Sequence, residues 1–155
     1  MLDKMKMLHK LMTATVMSFC LSTSAQELGP WRAVSKTAES ITGDVALSAA
    51  SLAINFSVFP IARIRDLQAP EVSSVFDADS SSGVHGTLYR LNVPATTKFL
   101  HKNTLCGSES AQWMATFVEG RQLHVAFFSG QKMPVFTVDA VSNSTDLCGT
   151  FTYAR

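Results

Sequence analysis

The sequence is poor in the residues from which most metal sites and hydrolytic sites are built. Of 155 residues only three are cysteine and four are histidine. His85, His101 and His124 lie beyond the N-terminal stretch and show no His-x-His or His-x-x-x-His spacing, so no metal site is expected. No Gly-x-Ser-x-Gly elbow occurs, and Gly107-Ser108-Glu109-Ser110 lacks the second glycine of that turn. No glycine-rich phosphate cradle is present. Asp77 and Asp79 are close in sequence, but both fall in an expected solvated loop, which does not build an acid–base pair. Charged residues make up only 16% and the formal net charge is +1, so there is no basic field for nucleic acid or anionic lipid. Catalysis therefore has no positive support, and no cofactor is expected.

Long apolar runs are also missing, with one exception at the start. Lys4, Lys6 and Lys10 give a basic opening, Leu11 to Leu21 is apolar apart from Thr13, Thr15 and Ser18, and Thr23-Ser24-Ala25 supplies small residues. This is the pattern of a secretory signal peptide, too short and wrongly flanked for a membrane span, with cleavage expected before Gln26. Cys20 raises lipidation, but Phe19 stands where a lipobox wants a small residue. Removal of residues 1–25 takes three of thirteen basic residues and one of twelve acidic ones, leaving a net charge of −1. The remainder, 26–155, is one domain, long enough for a single core and with no stable membrane span.

Two cysteines then survive, Cys106 and Cys148, 42 positions apart. An even pair in an exported domain reads as a disulfide, worth about 4 kcal/mol for a loop of that size in the chain-entropy model. Two buried free thiols are the alternative. A disulfide excludes a cysteine nucleophile, because the thiolate is the reactive species.

What the sequence has in quantity is short, alternating apolar segments. The central one runs from Ala111 to Gly130, two aromatic-rich stretches flanking Glu119-Gly120. It reads as a β-hairpin. Putting Trp113, Ala115 and Phe117 on the same face as Leu123, Val125 and Phe127 requires Ala115 opposite Val125. That pairing implies a three-residue loop, Glu119 to Arg121, because a one-residue slip sends the set to the other face. His124 then opposes Thr116 at the surface.

Elsewhere, Gln26 to Ser40 fits either one or two helical turns or a first strand. Thr42, Val45 and Leu47 suggest a strand with a bend at Gly43-Asp44, and Leu52 to Phe59 alternates cleanly as a half-buried strand that Pro60 ends or marks as an edge. Ile61 to Asp66 reads as an exposed continuation. Asp77 to Gly83 is a polar loop whose opening imitates a calcium loop, but Ser82 stands where the glycine belongs and Leu88 where the glutamate belongs. Strands are expected at Gly86 to Val93, Phe99 to Leu105, Val135 to Val141 and Cys148 to Tyr153. Short strands at regular intervals, with at most a short N-terminal helix, point to an all-β fold, a small antiparallel β-barrel or a sandwich. A small-ligand carrier would need a hollow barrel lined by residues such as Trp113, Phe117, Val125 and Phe127, whereas small barrels are usually filled by such side chains. Asn55-Phe56-Ser57 and Asn143-Ser144-Thr145 are glycosylation sequons, the first placed inside an expected strand and therefore unsuited to use.

Three resemblances follow from these residues. Gly29-Pro30-Trp31 is similar to the Gly-x-Trp signature at the start of lipocalin barrels, which would imply a small-ligand carrier. Trp31, Ser40 to Ser48, Leu105-Cys106-Gly107, Phe128-Ser129-Gly130 and Cys148 to Tyr153 resemble landmarks of small exported proteobacterial proteins, which implies a periplasmic or secreted location. Ser129-Gly130-Gln131-Lys132-Met133 resembles the Ser-Gly-x-x-Tyr loop of inhibitors of C-type lysozyme, with Met133 in place of the tyrosine, and Thr97-Lys98 is followed by Phe99 where that family has glycine. The expectation is a monomeric, non-enzymatic binding protein of the cell envelope whose partner is an unknown envelope protein or a small apolar ligand.

Overall fold

A computed structural model describes residues 26–79 and 85–155. The expected signal segment therefore lies outside the described residues, as does most of the polar loop between Asp77 and Gly83. Eight antiparallel strands close into a barrel in simple sequence order: β1 (Gly29–Ala33), β2 (Val45–Leu47), β3 (Ser51–Ile54), β4 (Ser57–Leu67), β5 (Gly86–Val93), β6 (Ala111–Glu119), β7 (Gln122–Phe128) and β8 (Leu147–Ala154), with β8 returning to β1. Closure leaves no unpaired sheet edge. Three short helices interrupt the meander: α1 (Lys36–Ile41), α2 (Ala69–Phe76) and α3 (Val138–Ser142).

Strand direction alternates, so the connections fall into two sets. The segments 34–44, 55–56, 94–110 and 129–146 share one end, the loop end. The segment 26–28, the turn at 48–50, the start of the connection carrying α2, the turn at 120–121 and Arg155 share the other. Cys106 and Cys148 are disulfide-bonded at the loop end, with Cα atoms 4.8 Å apart, and tie the entry of β6 to the start of β8.

The central hairpin forms as expected, but its register differs. Glu119 pairs with Gln122 across a two-residue turn at Gly120-Arg121, and Ala115 faces Ala126, not Val125. The slip has a physical cause. Met114, Leu123, Val125 and Phe127 point into the barrel. Trp113, Ala115, Phe117, Ala126 and Phe128 point outward into a second core against Leu67, Val72, Val75 and Phe136. Both faces of the hairpin are buried, so apolar alternation cannot choose between registers. Trp113 and Phe117 accordingly do not line the barrel interior, whereas Val125 and Phe127 do.

The stretch from Leu52 to Phe59 is a hairpin, not one strand. Ile54 pairs with Ser57 across the two-residue turn Asn55-Phe56. Asn55 takes the left-handed conformation at φ 57°, one of the few non-glycine residues that does so readily. Its sequon therefore sits exposed at a hairpin tip, not within a strand. Pro60 does not end the segment: β4 runs on to Leu67, with a bulge between Arg63 and Arg65.

Helices replace two expected features. Ser35 caps α1 by accepting from the Ala38 N–H at 3.2 Å, and Thr42 closes that helix, leaving only Val45–Leu47 as strand. Thr137 caps α3 in the same way, so the stretch Val135 to Val141 is loop and helix where a strand was expected. The segment from Phe99 to Leu105 contains a 3₁₀ turn in place of a strand. α2 is fastened by Glu71, whose carboxylate accepts the Gln68 N–H at 2.9 Å and two bonds from the Arg65 guanidinium at 2.8 and 2.9 Å.

Candidate functional site

The barrel interior is solid. The void among Leu47, Leu52, Met114, Val125, Phe127 and Tyr153 measures about 10 Å³, barely the ~10–15 Å³ that a single water occupies. Phe127 and Phe151 meet edge to face at 5.4 Å, and Phe59 meets Phe99 at 6.1 Å toward the loop end.

One charged side chain enters this interior, and nothing in the sequence pattern marked it. Glu27 precedes β1 and is only 4% exposed. Its Oε1 accepts from the Thr87 and Thr116 hydroxyls, both at 3.0 Å, and its Oε2 accepts from the Tyr89 hydroxyl at 2.9 Å. Burial raises the Glu27 pKa above the usual carboxylate value, and the three hydroxyl donors and the more distant Arg63 oppose that rise. Burial, reinforced by Glu27, pushes the Tyr89 hydroxyl well above its ordinary value. The Glu27 carbonyl accepts the Trp31 indole N–H at 2.7 Å. Arg155 lies 3.7 Å from the centre of the Trp31 ring and donates to the Gln26 carbonyl. These bonds fasten the N-terminal segment across its end of the barrel. Glu27 accepts from three hydroxyls that arrive on β5 and β6, so its carboxylate ties the segment before β1 to those strands.

At the other end the loop from Ser129 to Phe136 is held at both of its own ends. The Ser129 N–H donates to the Asp146 carbonyl at 2.8 Å. Gly130 adopts φ +83°, and a Cβ there would come within 2.8 Å of the Asp146 carboxylate, so the position requires glycine. Phe136 is buried edge to face on Phe128 at 5.7 Å, with the Arg65 guanidinium 5.8 Å from its ring. Between these anchors Gln131, Lys132 and Met133 are exposed. Met133 is 47% exposed, Val135 65% and Val138 66%. Of the five residues singled out in the sequence, Ser129 and Gly130 are thus framework, and Gln131, Lys132 and Met133 are presented to solvent.

The histidines sit apart. His85 is exposed before β5, and His101 bonds the Ser40 carbonyl at 3.1 Å at the loop end. His124 faces Phe117, not Thr116, and is half-buried: its ring stacks on Phe117 at 5.5 Å and lies 6.2 Å from Phe76. Burial holds its pKa below the ordinary value, against the pull of Glu119. Among the described residues no three His, Cys, Asp or Glu side chains gather as a metal site would require. No helix among them is long and apolar enough to cross a membrane. Comparisons with protein-family models, curated proteins and solved structures return no match.

Proposed function

We propose that the chain is an exported, non-enzymatic binding protein of the cell envelope that recognises a protein partner through the loop from Gln131 to Val138. The observation that carries this reading is the contrast between a filled interior, with a void of about 10 Å³, and a braced loop that presents three large apolar side chains to water. Apolar side chains held at the surface at a cost in hydration are what a protein interface buries at its centre. Anchoring by Ser129 and Phe136 limits the ordering cost on binding.

Export rests on the N-terminal sequence and is consistent with the disulfide, since such bonds persist in oxidising compartments. The small-ligand carrier is favoured by the eight-strand meander and by Gly29-Pro30-Trp31 at its start, but the interior offers such a ligand no room. Inhibition of a C-type lysozyme is the most specific form of the proposal. It draws on the barrel, the disulfide and the Ser129-Gly130 turn, and it must work without the tyrosine that Met133 replaces.

The test places a photo-crosslinking residue at Met133 in the exporting cell. A single crosslinked partner, lost when Val135→Asp and Val138→Asp are added, supports the proposal. No adduct from Met133 under conditions where adducts form from other surface positions contradicts it. A lysozyme assay separates the specific form: no inhibition at large molar excess eliminates lysozyme as the partner.

A further inference from the structure

We propose that the cleft along β1 lined by Arg32, Arg121 and Arg155 is a binding site for a phosphate group, free in solution or carried on a lipid headgroup. The balanced charge of the sequence conceals a local asymmetry. Of the ten lysines and arginines beyond position 25, three line one open cleft of about 590 Å³, in which Asp44 is the single acidic side chain.

The course of β1 opens this cleft. Gly29 to Trp31 pair with β2, whereas Arg32 and Ala33 pair with β8. The strand thus changes partner half-way, and each half lacks a ladder partner on one side. Asp44 fills part of that gap: its carboxylate accepts the Ala33 N–H at 2.9 Å, where a neighbouring strand would offer a carbonyl. The cleft runs past the change of partner, from Val34 and Asp44 at the loop end to Arg121 and Arg155 at the other.

The remaining arginines are engaged by the protein itself. Arg63 pairs with Asp66 and Arg65 with Glu71, and Arg90 lies 4.6 Å over the Trp113 ring and donates to the Gln112 carbonyl at 2.9 Å. Arg32, Arg121 and Arg155 have no acidic side-chain partner among the described residues. Two of them are nevertheless held in place. The Arg155 guanidinium rests on the Trp31 ring and gives Nη2 to the Gln26 carbonyl, which leaves Nη1 uncommitted. Arg121 gives Nε to the main-chain oxygen of Arg155 at 2.6 Å, and the Arg155 N–H returns a bond to the Arg121 carbonyl at 3.1 Å. The two terminal nitrogens of Arg121 stay available, and the exposed Arg32 side chain donates to no protein group among the described residues.

Braced guanidinium forks with spare donors are suited to a phosphate, which they meet in a bidentate fashion. Three like charges around one space repel one another, and an anion entering that space relieves the repulsion. A phosphate monoester carries about two negative charges and accepts through three oxygens. It thus engages more than one arginine at once, whereas a single fork already occupies a planar carboxylate. The cleft is open, so the ligand exchanges with solvent; a dissociation constant of about 0.1–1 mM is expected, and the ligand does not persist through purification.

Proton–nitrogen NMR of the exported chain tests the proposal, by titration with inorganic phosphate against sodium chloride at matched ionic strength. The expected result is saturable shifts of the backbone signals at 31–34, 44–45, 120–121 and 154–155, absent with chloride. Arg32→Gln should raise the dissociation constant at least about tenfold, and Arg32→Lys about threefold, because lysine keeps the charge and loses the fork. Lys132→Gln, outside the cleft, should not change it. In chloride Arg32→Gln should melt with the parent, which shows that it folds, and it should lose the rise in melting temperature that phosphate gives the parent. Co-sedimentation with phosphatidylcholine vesicles, with and without phosphatidic acid, distinguishes the sources. Binding to the phosphatidic acid vesicles that Arg32→Gln abolishes, without a response to inorganic phosphate, assigns the site to a headgroup. No response to either probe overturns the proposal, as does a response that Arg32→Gln leaves intact. An equal response to acetate also overturns it, since the cleft would then be an unselective cationic patch.

Discussion

Breaking the bond between Cys106 and Cys148 should loosen the loop end without dismantling the barrel. The bridge closes a loop of 42 positions, for which the chain-entropy model gives about 4 kcal/mol of stabilisation. For a domain of this size each kcal/mol moves the melting temperature by about 3–5 °C, so the loss should be about 12–20 °C. The barrel should survive because Phe99 and Leu105, which lead into Cys106, are buried in the interior core and hold that connection by packing. Calorimetry or thermal circular dichroism with and without a phosphine reductant measures the shift. Cys106→Ser and Cys148→Ser should each show the lowered melting temperature under oxidising conditions and no further change on reduction. Hydrogen exchange should locate the new mobility at 100–110 and at the start of β8. A parent protein that melts equally with and without reductant, after mass spectrometry has confirmed complete reduction, would refute the reasoning.

Three further outcomes follow from the same geometry. Glu27 has a raised folded pKa, so its contribution is full below the unfolded value of about 4.5 and declines as pH rises through the folded value. Urea titrations at several pH values should therefore show the parent losing stability relative to Glu27→Gln above pH 4.5, with a slope of at most about 1.4 kcal/mol per pH unit. A parallel pH dependence of the two proteins would contradict the burial of that carboxyl. Gly86→Ala would place a Cβ 2.5 Å from the Thr116 carbonyl oxygen and 3.0 Å from Val72. It should cost about 3 kcal/mol in denaturant unfolding by forcing β5 and β6 apart. Phe56→Ser should change monomer stability by less than about 0.5 kcal/mol in the same assay, because the ring touches water on nearly every side.

The class of fold was legible because its signals are local. Short alternating runs, turn residues at close intervals and two surviving cysteines lead to a disulfide-tied barrel, and the barrel forms. Register was not legible where both faces of a strand are apolar. Trp113 and Phe127 look alike in sequence, but one packs under α2 and Phe136 and the other fills the interior. Asn55-Phe56 hid a turn because neither residue is glycine and the flanking residues continue the alternation. α2 was hidden because much of its fastening comes from Arg65, outside the helix. Glu27 escaped notice because a lone acid beside an expected cleavage site has no period to betray it. Its meaning appears only when Thr87, Tyr89 and Thr116 arrive from strands 60 and more positions away. In the loop from Ser129 to Met133 the sequence marked the right segment, but only packing separates its framework residues from its presented ones.

The proposed binding role rests on an interior whose void is about 10 Å³, which leaves the outer surface as the place for recognition. Native mass spectrometry of the chain purified from the cell envelope tests this most directly. The account predicts the bare disulfide-bonded polypeptide with no small-molecule adduct. A stoichiometric apolar adduct that a fatty acid or dye displaces would contradict it.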